Sequence, residues 1–195
     1  MRKIGLITAI ALLLGCLLSI SVFADSVMLR ARLSGQLAGN HQTSALGASV
    51  NNDVNNGLSI GAEGLYKVVP NLQLGAGLEY EFGSSLTIDT SAVFQFIPIY
   101  GVVRVPFDIG PVTPYAVARI GYGVFSGNSA YTGGVSLTGG LYYALGGGID
   151  LRLGQFSIFA EGTYSADNGS FPLLGITFNV LYTTLDLSAG VSIAL

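Results

Sequence analysis

The sequence predicts an all-β protein, an eight-stranded antiparallel up-and-down transmembrane β-barrel. Three observations lead there. Residues 141–153 place Leu141, Tyr143, Leu145, Ile149, Leu151 and Leu153 on one parity and Tyr142, Ala144, Asp150 and Arg152 on the other. Such period-two alternation marks a strand with unlike faces. The polar parity of this and the other candidate strands holds Arg, Glu, Gly and Ser with little Lys. A soluble sandwich would show water a Lys-rich face, so this pattern fits a barrel with its apolar face on lipid and its charges inside. Finally, only 10% of residues are charged and 50% are apolar, against about a quarter charged in ordinary soluble domains. No apolar run after Ala24 approaches a helical span, and a closed barrel is the other structure that satisfies its backbone in lipid.

The N-terminus reads as a targeting segment. Arg2 and Lys3 precede the apolar stretch 4–20, and Val22-Phe23-Ala24 offers small residues at the positions expected before signal-peptidase cleavage. The expected division is a signal peptide at 1–24 and a barrel domain at 25–195. A retained anchor is the alternative, although the apolar run is barely long enough to span. Leu13-Leu14-Gly15-Cys16 resembles a lipoprotein box, but residues 17–23 stay apolar where a lipoprotein tether is usually polar. Cleavage after Ala24 removes Cys16, and with it any disulfide, thiolate nucleophile or zinc–thiolate site. It also removes Arg2 and Lys3, leaving six basic residues against eleven acidic ones and a net charge of −5. Nothing basic and clustered suggests nucleic acid.

Eight strands follow in order. The first, 27–39, sets Leu29, Ala31, Leu33 and Leu37 against Arg30, Arg32, Ser34 and Gln36, and a polar loop is expected at 40–56. The second, 57–68, sets Leu58, Ile60, Ala62 and Tyr66 against Ser59, Glu63 and Lys67, and closes at the Val69-Pro70-Asn71 turn. The third, 72–82, is the cleanest, with Leu72, Leu74, Ala76, Leu78, Tyr80 and Phe82 opposing Gln73, Gly75, Gly77, Glu79 and Glu81. In the fourth, 91–107, Gln95 and Pro98 disturb the pattern, which predicts a bulge between Phe94 and Ile99. A turn at 108–111 leads to the fifth, 113–125, where Tyr115, Arg119 and Gly121 share the polar parity. The sixth ends at Leu153, and Gly154-Gln155 turns into the seventh, 156–166, with Glu161 inside. A loop at 167–179 precedes the eighth, 181–195, which carries Asp186 opposite Leu185 and Leu187. Long and short connections alternate, as they do between the outer loops and inner turns of such barrels.

The interior ledger is balanced. Arg30, Arg32, Lys67, Arg104, Arg119 and Arg152 face Glu63, Glu79, Glu81, Asp150, Glu161 and Asp186. Lone buried charges are costly, so these are expected to close the interior in pairs, with Arg104 and Arg119 as the partners of Glu79 and Glu81. Asp167 is placed in a loop. Gly75, Gly77, Gly146 and Gly148 make room for the long side chains, and Tyr66, Tyr80, Tyr143, Tyr164, Phe125 and Tyr182 are candidates for interfacial girdles.

The segment Pro98-Ile99-Tyr100-Gly101 through Gly110-Pro111-Val112-Thr113-Pro114-Tyr115, with Gly121-Tyr122-Gly123 after it, resembles the central hairpin of bacterial outer-membrane β-barrel proteins of the OmpA/OmpW-like, porin-like class. The resemblance implies a bacterial outer-membrane location, insertion by the barrel-assembly machinery, contact with outer-membrane lipids and lipopolysaccharide, and a monomer. Members of that class end in an aromatic residue, where this chain has Leu195. Their roles run from structural proteins through minor pores to adhesins. An eight-stranded interior holds side chains or one small ligand, which favours a structural or envelope-integrity role. The alternatives are a narrow pore for small or apolar solutes and a surface adhesion protein. Lipid-modifying catalysis would need a nucleophile–base arrangement. The only histidine, His41, sits in the expected first loop beside Gln42, Thr43 and Ser44, so no enzyme and no cofactor are expected. A soluble lipid-binding barrel would turn the charged parity outward.

Overall fold

The computed structural model describes residues 27–195. The expected signal peptide at 1–24, its cleavage site and Cys16 lie outside the described residues. The elements are β1 (Val27–Ala45), β2 (Ala48–Val54), β3 (Gly57–Val69), β4 (Leu72–Glu81), β5 (Ser84–Ser85), β6 (Val93–Pro106), β7 (Val112–Gly127), the short helix α1 (Ser129–Thr132), β8 (Thr138–Leu153), β9 (Phe156–Leu173) and β10 (Ile176–Ala194). They form one antiparallel sheet in the order β10-β9-β8-β7-β6-β4-β3-β1, with β2 on β1 and β5 on β6. The first strand also pairs with the last, from Met28–Ala194 to Ser44–Asn179.

The sheet is inside-out relative to a soluble protein. Along β6, Phe94, Phe96, Pro98, Tyr100, Val102 and Arg104 are buried while their neighbours look outward. The outward parity keeps large apolar side chains in the open: Leu145 is 62% exposed and Ile120 63%, whereas Arg104 is 1% exposed. No helix among the described residues is long and apolar enough to cross a membrane. The sheet carries the apolar surface instead.

Two of the expected loops are strand. β1 runs six residues past Gly39 to Ala45, and β2 returns along it. The pairs Gly39–Val54 in β2 and Gln36–Gly57 in β3 keep one register, so β2 and β3 act as a single returning strand interrupted at Asn55 and Asn56. The region 167–179 likewise becomes the end of β9 and the start of β10, paired up to Leu173–Ile176. Both hairpins close on a Leu-Gly tip with positive φ at both residues: 50° and 82° at Leu46 and Gly47, 52° and 79° at Leu174 and Gly175. That is the twist-matched hairpin turn, carried here by a leucine in place of the usual Asn or Asp. These extensions are largely polar, so they lack the apolar alternation by which a strand is recognised in sequence.

The bulge expected in β6 lies in the strand opposite. β6 pairs with β7 without a shift from Phe94–Gly127 to Pro106–Tyr115. On its other edge the β4 ladder stops at Leu78–Ile99 and β5 resumes it at Ser84–Phe94, leaving residues 79–83 against 95–98. Gln95 and Ile97 stay on the outward parity, and the inward one is aromatic here rather than polar. Pro98 falls on the interrupted edge, where the missing N–H breaks no ladder bond.

Candidate functional site

The charged interior is the candidate site, and the alternation of each strand places its members. Toward the end with the short turns, Arg104 is paired in register with Gln73 and donates to the Gln73 side-chain oxygen at 2.7 Å. It also forms an ion pair with Asp150. Its guanidinium lies 3.7 Å from the Tyr115 ring centre. Arg30 donates to the Tyr115 hydroxyl at 2.8 Å, stands 3.9 Å from Asp150 and 3.8 Å from Glu161, and covers the Phe159 ring at 3.8 Å.

The middle tier is a shared network. Glu63 Oε1 accepts from Arg32 Nη1 and from Arg119 Nε, both at 2.7 Å. Arg119 reaches Glu161 with its other arm at 2.7 Å, and Arg32 reaches Glu79. The Tyr100 hydroxyl donates to Glu63 at 3.1 Å and accepts from Arg32 at 2.9 Å. Guanidinium forks suit such bridging, since each offers several donors in a fixed plane. Glycines opposite leave the space. A Cβ on Gly77 would meet the Tyr100 ring at 2.7 Å, and one on Gly148 the Tyr115 hydroxyl at 2.5 Å.

Above this tier the acids outnumber the cations. Glu79 accepts from Ser59 as well as Arg32. Glu81 accepts from Gln36 at 3.0 Å and from the Phe96 backbone N–H at 3.1 Å. Asp186 accepts from Ser165 at 2.8 Å. Asp167, on the inward parity of β9, is 1% exposed. The loop-side end is filled by Phe94, Phe96, Phe125, Val54, Val180 and Tyr182. Phe96 stacks on Phe125 at 4.3 Å, and His41 is hydrogen-bonded to the Tyr131 hydroxyl at 2.6 Å beside Phe94.

Several expectations change. Lys67 is exposed, and Arg152 pairs with Asp108 at 3.1 Å with both side chains about half exposed, outside the interior. Both lie next to the short turns, where parity no longer decides burial. Asp167 moves inward because its loop is strand. The interior therefore holds Arg30, Arg32, Arg104 and Arg119 against Glu63, Glu79, Glu81, Asp150, Glu161, Asp167 and Asp186. Glu79 and Glu81 do not meet Arg104 or Arg119. Arg119 is level with Val102, and Val102 with Gly75, so the two glutamates lie further along β4. Phe125 and Tyr182 are interior rather than interfacial, while Tyr66, Tyr80, Tyr143 and Tyr164 look outward. His41 is buried in a strand. Tyr100 and Tyr115 stood on the charged parity in the sequence, and that parity was the signal for their bridging role. Among the described residues no group of three or more His, Cys, Asp or Glu is arranged to hold a metal ion.

No protein-family model and no curated protein matches the chain. Solved structures do. The crystal structure of Neisserial surface protein A matches with a TM-score of 0.56 at 18% identity, over 87% of this chain and 97% of that one. The outer membrane protein OprG of Pseudomonas aeruginosa matches with a TM-score of 0.62 at 13% identity, over 87% and 95%. The fold is that of the bacterial outer-membrane β-barrel proteins, as the resemblance of the Pro98–Gly123 region implied.

Proposed function

We propose that residues 25–195, freed of the segment 1–24, form a closed eight-stranded transmembrane barrel in the bacterial outer membrane. It serves as a monomeric scaffold that supports the envelope. The pairing of β1 with β10 supports closure, with β2 and β3 counted as one stave. The outward apolar parity supports a lipid environment, with lipopolysaccharide and outer-membrane lipids as neighbours and the barrel-assembly machinery as the route in. The observation that carries the scaffold reading is the filled interior. Ion pairs and tyrosines occupy the middle, and six buried apolar residues close the loop-side end. The charge network is then structural: each guanidinium is held by carboxylates that would otherwise be buried alone.

A second reading has one observation in its favour. The ladder is broken between 79–83 and 95–98, beside Glu79 and Glu81, and a broken ladder is where a wall yields first. On that reading the protein is a narrow pore for small or apolar solutes. Planar-bilayer recording of the purified mature protein separates the two. The scaffold reading expects silence or rare, brief openings. Discrete channels in most insertions, with selectivity altered by Arg119→Gln, would replace it with the pore.

A further inference from the structure

Residues 128–137 connect β7 to β8 and fold back over the loop-side end of the interior. Asn128 anchors the near end. Its side-chain oxygen accepts from the Val93 N–H at 3.2 Å and the Tyr131 N–H at 2.9 Å, and its amide donates to the Ser91 carbonyl at 2.7 Å. The helix α1 then stops at Gly133 and Gly134, whose φ values of 57° and 89° suit glycine. Nothing in α1 is buried. Tyr131 and Leu137 rest, half-buried, on the aromatic cluster. Among the described residues, one hydrogen bond ties positions 129–137 to a strand of the wall, from the Tyr131 hydroxyl to His41 Nε2 at 2.6 Å.

The other end of that bond has no place for a charge. His41 is 3% exposed, and every group in contact with it is uncharged. Phe94 of β6 meets its ring edge-on at 5.0 Å and Tyr131 at 5.7 Å, while Thr43 Oγ1 stands 3.4 Å from Nδ1. Asn52 of β2 and Tyr182 of β10 are its partners in register. Asp53 is on the opposite parity, level with Asn40. Glu81 and Asp167 lie beside Phe96, the next inward residue of β6. No carboxylate is therefore set to pair with a charged imidazole. An unpaired buried charge is costly, so a protonated His41 must reach water, and its contact with Tyr131 has to open for that.

We propose that residues 128–137 are an acid-released lid over the loop-side end of the barrel, latched by Tyr131 on neutral His41 and freed when His41 takes up a proton. The inference goes beyond the scaffold role and holds whether or not the barrel conducts. Burial pulls the imidazole down from its ordinary 6.5 to about 4, and exposure in the open lid returns it toward 6.5. The open lid thus binds the proton more tightly than the closed one. The latch keeps its full strength above about pH 6.5. Its closed-to-open ratio falls about tenfold for each pH unit below that, down to about pH 4.

The test is a pair of spin labels read by pulsed dipolar spectroscopy on the folded mature protein in micelles. The chain after residue 24 has no cysteine, so Ser129→Cys on α1 and Ser49→Cys on β2 carry the labels. In the parent, the distance at pH 7 should give way to a longer population at pH 4. His41→Gln keeps an amide for the Tyr131 hydroxyl but takes no proton, and it should hold the short distance at both pH values. Tyr131→Phe loses the latch bond and should move the midpoint of opening up by about one pH unit, the worth of one hydrogen bond. Folding is checked at both pH values by heat-dependent gel mobility. An unchanged distance in the parent, or equal lengthening in His41→Gln, would overturn the lid. If His41→Gln does not fold, Tyr131→Phe decides, and an unmoved midpoint would overturn the latch.

Discussion

The Glu81 carboxylate accepts the backbone N–H of Phe96 at 3.1 Å, at the point where β4 and β6 part company. A side chain replaces a missing ladder bond there. The other carboxylate oxygen takes the Gln36 amide, which ties β1 to the same seam.

Removing that acceptor should loosen the seam. Glu81→Leu leaves the Phe96 N–H and the Gln36 amide without a partner, at a cost of about 1–3 kcal/mol for each group left unsatisfied. Glu81→Gln keeps a carbonyl oxygen to accept the N–H and should cost less. Urea unfolding from lipid vesicles measures both, and amide exchange at Phe96 should rise in the leucine variant alone. Equal stability of the two variants would show that the contact contributes nothing.

Glu63 accepts from Arg32, Arg119 and the Tyr100 hydroxyl. Glu63→Gln should destabilise the protein by about 3–5 kcal/mol, since breaking a buried pair strands its cations. A double-mutant cycle should find coupling between Arg32 and Glu79, which are in contact, and little between Arg119 and Glu79. The half-exposed pair of Arg152 and Asp108 gives the contrast, with Arg152→Ala costing at most about 1 kcal/mol and less at high salt. A large cost for Arg152→Ala would contradict its placement outside the interior.

The outward parity makes a separate prediction about surroundings. Ile120 is 63% exposed in the middle of β7, and Leu46 is 86% exposed at a hairpin tip. If the β7 position faces hydrocarbon, Ile120→Arg should lower folding stability in vesicles by about 2–4 kcal/mol, while Leu46→Arg, beyond the membrane, should change little. Similar small effects at both sites would mean that the sheet does not span lipid at Ile120.

How much of this was legible beforehand follows from where parity holds. The order of neighbouring strands and the parity that buries Arg30, Arg32, Glu63, Glu79, Glu81, Arg104 and Arg119 were readable because apolar and polar residues alternate across the sheet. Partners were not. Arg32 reaches Glu79 over Gly61, with which both are in register, and pairing register is something period-two patterning does not encode. The hairpin extensions around Leu46 and Leu174 were hidden by polar composition and by a leucine in a turn that usually takes Asn or Asp. With them went Asp167, which looked like a loop residue and is buried. His41 was misplaced for the same reason.

On the scaffold reading, the aromatic cluster at the loop-side end is what makes the interior a barrier. Phe94 is fully buried, touches Tyr182 edge-on at 5.2 Å and lies 5.3 Å from Tyr131. Truncation to alanine removes those contacts and leaves a void that packed neighbours refill only in part, a loss of about 3–5 kcal/mol in a typical core. The loss should be smaller here if water enters from the loop side, because water can then occupy the space. Stability and conductance therefore move together. If Phe94→Ala costs much less than that core value, the interior has become wet and single-channel recording should show openings more frequent than in the parent. If it costs the full amount, the void is dry and the membrane stays sealed. A variant that loses the full core stability and yet conducts steadily would break this link and show that ions take a path away from the plug.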